Sequence, residues 1–362
     1  MKHICNAGRR KIVYVMETLA IKGGLERIMV EKMNFLAETG KYDVVLVEVY
    51  DYASPDCYAL AEGVQRIRLG VRKRHGMPLK LWQMAEVHWR MRKTMRRVMP
   101  DVMVSAGLLG VLLFGMQSFG CREIFESHGP RRYLPLQWMV RRMERRVDMV
   151  VTLTKGDAGE YRLARRAVTI PNFVSGGGCL PCYDNRGKRD IVALGRLTEE
   201  KGHDLLVEAC DMAFGNVAEK RLCVYGDGRC RERIMRMMQR ARHAPRMCLR
   251  AAEDDVERIY SEAFAVVVTS EYEGFSLVAF EAMARGVPVV ACDVPYGPRE
   301  LMQDGAMVVP RTAEAVAEAI ERLNNDAGLY AALAERGRRC AAMYAKERVM
   351  KMWLDTFDMT EK

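Results

Sequence analysis

The feature that most constrains this chain is an alternation of short apolar runs with amphipathic helical stretches, repeated along its length and interrupted once. The apolar run Ile12 to Met16 leads into a loop carrying Gly23 and Gly24, then into a helical pattern from Leu25 to Glu38 that Gly40 closes, then into a second apolar run, Tyr42 to Val49. Strand, glycine loop, helix and strand in that order form a βαβ unit, whose parallel strands need a covering helix. Runs at Val102 to Ser105, Glu123 to Glu126 and Met149 to Leu153 add strands to the same sheet. Between Asn172 and Arg189 the periodicity dissolves into NFVSGGGCLPCYDNRGKR, the best domain boundary in the chain.

The alternation then restarts. Strand Ile191 to Leu194, helix His203 to Ala213, strand Arg221 to Tyr225, helix Cys230 to Arg242, strand Ala265 to Thr269, helix Leu277 to Arg285 and strand Val287 to Ala291 make a second sheet. Helical stretches Ala313 to Asn324 and Leu329 to Thr356 follow. A length of 362 residues also exceeds what one core serves. The expected fold class is therefore α/β, with two doubly wound Rossmann-like domains facing across a cleft. The expected bounds are 1–173, a linker 174–189, and 190–345, with 346–362 a helix packing back on the N-terminal domain. The run Val102 to Phe119 is broken by glycines and reads as buried strand and turn rather than a membrane span.

Hydrophobic residues at 49% and charged residues at 29% are those of an ordinary globular chain. The basic start, Met1 to Lys11, lacks the apolar core of a signal peptide, so a cytoplasmic location is expected. Eleven cysteines, an odd number, argue for free thiols, and Cys210, Cys223 and Cys292 sit singly in apolar runs. Cys179 and Cys182 have redox-motif spacing but lie in the irregular segment, and no second Cys/His pair completes a zinc set. Neither a metal nor another cofactor is expected.

Lysine and arginine total 57 against 47 aspartate and glutamate, a formal charge of +10, which implies an anionic partner. The excess concentrates in His88 to Arg97 and Arg131 to Arg146, where Trp82, Trp89, Met91, Met95, Trp138 and Met139 interleave with arginines. Such basic, amphipathic, Trp-bearing helices suit the surface of an anionic membrane, here its inner face, or form a solvated face over a core stripe. No nucleic-acid motif accompanies the charge, so nucleic acid is not an expected partner.

The chemistry concentrates in Ser270 to Pro288, SEYEGFSLVAFEAMARGVP. Glu273 and Gly274 form a turn after the strand, Ser276 can cap, and a short helix follows until Gly286 and Pro288 stop it. The free N–H groups of Leu277 and Val278, with the helix dipole behind them, suit a diphosphate. Glu273 and Glu281 could accept hydrogen bonds from sugar and ribose hydroxyls. Gly195, Arg196, Lys201 and Gly202, in LGRLTEEKG, lie on another loop at the strand C-termini, the edge where open α/β sheets bind ligands. Two cations there would offset charge on a departing diphosphate, the work that a magnesium ion does elsewhere.

With these segments in view the sequence resembles glycosyltransferase family 4, the retaining enzymes of the GT-B fold, over nearly its whole length. The E-x7-E motif stands at Glu273 to Glu281; GRLTEEKG carries Arg196 and Lys201; the first-domain loop reads GGLER. YGDG at Tyr225 to Gly228, EAMARGVPVV at Glu281 to Val290 and PYGPRELMQDG at Pro295 to Gly305 also match. The resemblance implies that Arg196 and Lys201 bind the donor diphosphate, Glu281 the ribose, and Glu273 the transferred sugar or its surroundings. It further implies that backbone from Phe275 through Ser276 and Leu277 to Val278 holds sugar hydroxyls and phosphate, and that Gly23 and Gly24 let backbone approach phosphate. His128, in ESHGP, matches a histidine near the donor sugar. Two departures stand out: AMVVP after Gly305 is shorter than the family's loop, which bears on Arg299 and Glu300, and the Arg250 to Glu253 turn is atypical.

The resemblance thus implies transfer of a hexose or N-acetylhexosamine from a nucleotide sugar, a UDP-sugar by the family's habit, to a glycan or lipid-linked acceptor in surface polysaccharide or lipopolysaccharide synthesis. Competing readings are another GT-B activity, a nucleotide-sugar epimerase or phosphorylase, and a non-catalytic nucleotide-sugar-binding module.

Overall fold

The computed structural model describes residues 8–73, 76–175, 186–253 and 255–359. Cys179 and Cys182 lie outside the described residues. The chain divides into two units, Met1–Ile170 with Met350–Lys362, and Pro171–Val349.

In the first unit the order is β1 (Arg10–Met16), α1 (Gly24–Glu38), β2 (Tyr42–Tyr50), β3 (Val64–Val71), α2 (Met77–Val98), β4 (Val102–Ala106), α3 (Gly107–Met116), β5 (Arg122–Ser127), α4 (Gln137–Glu144), β6 (Met149–Thr152), α5 (Lys155–Ala158) and β7 (Ala167–Thr169). The strands form a seven-stranded parallel sheet in the order 3-2-1-4-5-6-7. Helices on both faces explain why β1, β4 and β6 read as continuous apolar runs rather than alternating ones. Val13, Val15, Val47, Met103, Phe114, Phe125 and Val140 lie in the core on one side.

Two readings of this half need correction. Val102 to Phe119 is not strand and turn: after β4 the chain forms a full helix, α3. Its glycines are packing positions, since a Cβ at Gly110 would crowd the Phe125 ring and one at Gly115 would crowd Met139. The basic stretch Arg131 to Arg146 is not one helix but a single 3-10 turn, Arg131–Tyr133, followed by α4. Leu136, in left-handed backbone at φ 57°, separates the two.

The second unit runs β8 (Asp190–Leu194), α6 (His203–Ala213), β9 (Arg221–Tyr225), α7 (Arg231–Arg240), β10 (Met247–Arg250), α8 (Val256–Glu262), β11 (Ala263–Val268), α9 (Leu277–Ala284), β12 (Val289–Cys292), α10 (Pro298–Met302), β13 (Met307–Val309), α11 (Ala313–Asn325) and α12 (Ala327–Ala342). The last helix, α13 (Lys346–Asp358), carries the chain back into the first unit from Met350. Six parallel strands are ordered 10-9-8-11-12-13. The single stretch read from Leu329 to Thr356 is two helices. Between them Tyr344 turns inward, its ring edge-on to Phe275 and Phe280 and its hydroxyl donating to the Leu301 carbonyl at 2.9 Å.

Cys223 is not an isolated thiol. It stands in register with Cys248 on the neighbouring strand, Sγ to Sγ 2.9 Å. The hydrogen bond between the two sulfurs, with Arg250 beside it, favours the thiolate of Cys248. Cys248 is therefore expected to react with iodoacetamide at pH 7 faster than buried Cys210, whose thiol burial pushes up. Peptide mapping after partial alkylation reads the order, and equal labelling would contradict it.

Candidate functional site

The order of the second sheet reverses between β8 and β11, and the loops that leave those two strands are the ones the sequence singled out. At such a switch point the neighbouring loops splay apart and leave a crevice beyond the carboxyl ends of the strands. Gly195, at φ 149°, and Gly202, at φ 63°, bound the first loop in backbone that favours glycine. The YGDG turn packs so closely beneath it that a Cβ on Gly226 would overlap the Gly195 carbonyl. Thr269 Oγ1 donates to the Gly202 carbonyl at 2.9 Å and Glu271 N to the Glu200 carbonyl at 2.8 Å, which ties the two loops together.

Across this junction Lys201 Nζ donates to Glu273 Oε1 at 2.7 Å, and Ser270 Oγ donates to the same oxygen at 2.7 Å. Glu273 is buried, and its backbone bridges to Tyr296. Arg196 projects outward with its side chain 71% exposed and only a loose contact to Glu200, 3.7 Å. One cation is thus held and the other is free to swing. This differs from a reading in which both cations simply face an anion, because Lys201 already has a carboxylate.

α9 begins behind this pair. Ser276 occupies its N-cap without a side-chain hydrogen bond, and the N–H groups of the first turn, including Leu277 and Val278, have no acceptor within the helix. Phe275 is buried and stacked on Phe280, ring centroids 4.3 Å apart, so the turn is anchored by its aromatic side chain. Glu281 lies one turn into α9 and accepts from the Tyr260 hydroxyl at 2.9 Å. Beside the turn Asp293, Pro295, Tyr296, Arg299 and Glu300 line a hollow of about 510 Å3. The Arg299 guanidinium is held on Asp293.

Gly23, Gly24 and His128 belong to the first unit, after the carboxyl ends of β1 and β5. Gly23 is the N-cap of α1 in extended backbone, φ −151°, so its φ does not call for glycine, and its carbonyl accepts from Tyr58. His128 Nε2 lies 3.0 Å from Glu126 Oε2, and the same carboxylate oxygen takes the ammonium of Lys32. Burial lowers the His128 imidazole below its ordinary value, with Glu126 opposing. Burial alone would raise the Glu126 carboxyl, yet Lys32 and His128 hold it below the usual range.

Sequence reasoning missed Lys32, Glu126, Ser270, Tyr260 and His203. Buried His203 sits under the Arg196 loop with Nε2 3.3 Å from the Arg196 carbonyl, and burial lowers its pKa. Only Glu126 carried a signal, a carboxylate two residues before His128 near the carboxyl end of β5. No group of three or more His, Cys, Asp or Glu side chains suited to a metal occurs among the described residues.

Residues 184–340 match the family described as glycosyl transferases group 1. The chain has the GT-B fold. Sucrose-phosphate synthase of Thermosynechococcus elongatus superposes with a TM-score of 0.82 at 20% identity, covering 96% of this chain and 98% of that one. Anabaena HepE in complex with UDP and glucose superposes at 0.76 and 15% identity, covering 97% and 100%. In sequence, the chain is 27% identical over 351 residues to a lipopolysaccharide core biosynthesis glycosyltransferase of Rhizobium meliloti, 92% of this chain and 95% of that one. It is 30% identical over 220 residues to an exopolysaccharide phosphotransferase of Streptomyces coelicolor, 58% of this chain but only 23% of that one. Of a poly(glycerol-phosphate) alpha-glucosyltransferase of Bacillus subtilis it likewise spans 25%.

Proposed function

We propose that this chain is a retaining, metal-independent glycosyltransferase of family 4 that moves a hexose or N-acetylhexosamine from a UDP-sugar to a glycan or lipid-linked saccharide of a surface polysaccharide. The observation that carries the reading is the Lys201–Glu273 pair, with exposed Arg196 beside it, at the switch point of the group 1 domain. In this reading the acceptor hydroxyl attacks C1 on the face that the diphosphate leaves. The bond from C1 to the diphosphate oxygen breaks as the new glycosidic bond forms, and the hydroxyl proton passes to the departing phosphate oxygen. Arg196 and Lys201 stabilise the charge on that oxygen, helped by the N–H groups of Leu277 and Val278. Glu281 holds the ribose, Glu273 the sugar side of the site, and Gly195, Phe275 and Ser276 place their backbone against the donor. Gly23, Gly24 and His128 serve the donor from the first unit. Relatives named for lipopolysaccharide core and poly(glycerol-phosphate) glycosylation, and a GT-B protein captured with UDP and glucose, support this choice of substrates.

A panel of nucleotide sugars tested by thermal shift and by transfer to a saccharide acceptor decides the matter. A donor at 100 times its dissociation constant raises stability by about 2.7 kcal/mol. Stabilisation by none of the panel would reject the reading. Turnover of the donor without any acceptor would favour an epimerase or phosphorylase instead.

Two cations already stand at the site, so turnover is expected to survive EDTA. Complete loss restored by magnesium or manganese would overturn metal independence.

The acceptor side is proposed to meet a cytoplasm-facing anionic membrane through α2. Met91 and Met95 are buried, whereas Trp82 and Trp89 are 73% and 65% exposed. Trp89 lines a hollow of about 490 Å3 with Arg92, Lys93, Arg96 and Arg97. Tryptophan beside cations is the pattern that settles at a headgroup boundary. No helix among the described residues is long and apolar enough to cross a membrane. Binding to anionic vesicles should fall as salt is raised, because the Debye length shrinks to roughly 10 Å at 0.1 M. Replacing Arg92, Lys93, Arg96 and Arg97 by glutamine should weaken it further. Vesicle binding that ignores both changes would make this face a solvated one.

A further inference from the structure

Lys32 of α1 is 1% exposed; burial lowers its pKa, and the Glu126 carboxylate opposes that shift. Its partners come from three elements. Glu126 of β5 takes the charge as a carboxylate, the Trp353 ring of α13 lies 4.3 Å from Nζ, and the Tyr14 ring of β1 lies 6.0 Å away. Replacing a buried ion pair by well-packed apolar residues is often neutral or stabilising, so the pair is weak as a stability device. What it does have is a third member. Glu126 Oε2 lies 3.0 Å from His128 Nε2.

A carboxylate in a hydrogen bond with a ring nitrogen can only accept, so it selects the tautomer that has its hydrogen on that nitrogen. Lys32 keeps Glu126 ionised, and therefore an acceptor, inside an apolar shell. The other ring nitrogen, Nδ1, has no hydrogen-bond partner among the described residues and is not among the atoms sealed from solvent. The charged and titratable groups that face the ring and its carboxylate partner are Glu126, Lys32 and Tyr14.

We propose that Glu126 and Lys32 are positioning residues that hold His128 as the Nε2–H tautomer, so that Nδ1 presents an accepting lone pair to a hydroxyl of the sugar substrate. The second half rests on the glycosyltransferase reading; the first does not.

Two-dimensional NMR of the long-range couplings within 15N-labelled imidazoles, with His128 assigned by comparison with His128→Gln, tests the first half in the wild-type protein alone. Near pH 7.5 Nε2 should carry the proton and Nδ1 should show the shift of a bare nitrogen. A proton on Nδ1 would overturn the proposal. In Glu126→Gln the amide can donate as well as accept, so the ring should populate both tautomers. Its titration midpoint should fall, because the negative charge that favours imidazolium is gone. An unchanged tautomer and midpoint in that variant would also overturn it. With donor and acceptor supplied, Glu126→Gln should lower kcat on the order of ten- to hundredfold, by analogy with lost partners of liganding histidines. The apparent KM for donor should change less, and Glu126→Asp should recover part of the loss. If the NMR result is as expected but His128→Gln keeps full transfer activity, the sugar contact is refuted while the tautomer control stands.

Discussion

Replacing Arg196 by alanine is expected to lower kcat on the order of 10² to 10³-fold while leaving the melting temperature nearly unchanged. The two halves of that expectation have separate physical causes. The Arg196 side chain is 71% exposed and has only the 3.7 Å contact to Glu200, so its removal exposes nothing that was buried. In the proposed mechanism the same freedom lets the guanidinium reach a diphosphate as charge builds on it. Loss of one preorganised charge-stabilising donor produces rate losses of about that size. Lys201→Met should differ in kind. It also removes the cation from Glu273, leaving a buried carboxylate with the Ser270 hydroxyl on Oε1, at a cost of roughly 1 to 3 kcal/mol in stability. Steady-state kinetics and thermal melting of both variants separate the roles. A fall below threefold in folded Arg196→Ala would remove that residue from the mechanism, and equal melting of the two variants would mean that the lysine is not what balances Glu273.

That contrast between two neighbouring cations was not legible in the sequence, where both stand in GRLTEEKG as one basic pair. The partner of Lys201 lies 72 residues away and reaches it only because β8 and β11 are adjacent in the sheet. The same holds for Lys32 and Glu126, 94 residues apart. Periodicity records which face of an element is buried, but the pairing of two buried charges is a property of topology. Glycines, by contrast, announce themselves, and the loop from Gly195 to Gly202 was found because Gly195 ends the apolar run Ile191 to Leu194.

The strands that escaped notice share a cause. β3 is an edge strand whose Arg66 and Arg68 reach toward Glu48 and Asp56, so it lacks the apolar run of a central parallel strand. β7, β10 and β13 are short edge strands, and β7 and β13 are only partly buried throughout. The central strands, sealed on both faces, were legible from their apolar runs alone. α3 was misread for the opposite reason. Glycines that read as chain breaks sit in a helix because Phe125 and Met139 occupy the space that their side chains would take.

Gly202 combines both uses of the residue, and Gly202→Ala is expected to be among the most damaging single-methyl changes in the second unit. Its φ of 63° places it in left-handed backbone, where a side chain costs roughly 1 to 2 kcal/mol. The added Cβ would also overlap the Thr269 carbonyl oxygen, which is backbone and cannot rotate away, and overpacking of this kind adds roughly 1 to 3 kcal/mol. The strain can be relieved only by parting the loops that Thr269 Oγ1 and Glu271 N hold together, which draws Lys201 away from Glu273. Stability and kcat should therefore fall together, stability by roughly 2 to 4 kcal/mol. Gly40→Ala supplies the comparison. Gly40 has nearly the same φ, 65°, but nothing lies within 4 Å of the built Cβ, so only the backbone strain should appear. Urea unfolding of each variant, following the transition of the unit that carries the glycine, reads the difference. Equal losses at the two positions would show that the loops after β8 and β11 do not meet as closely as the structure places them.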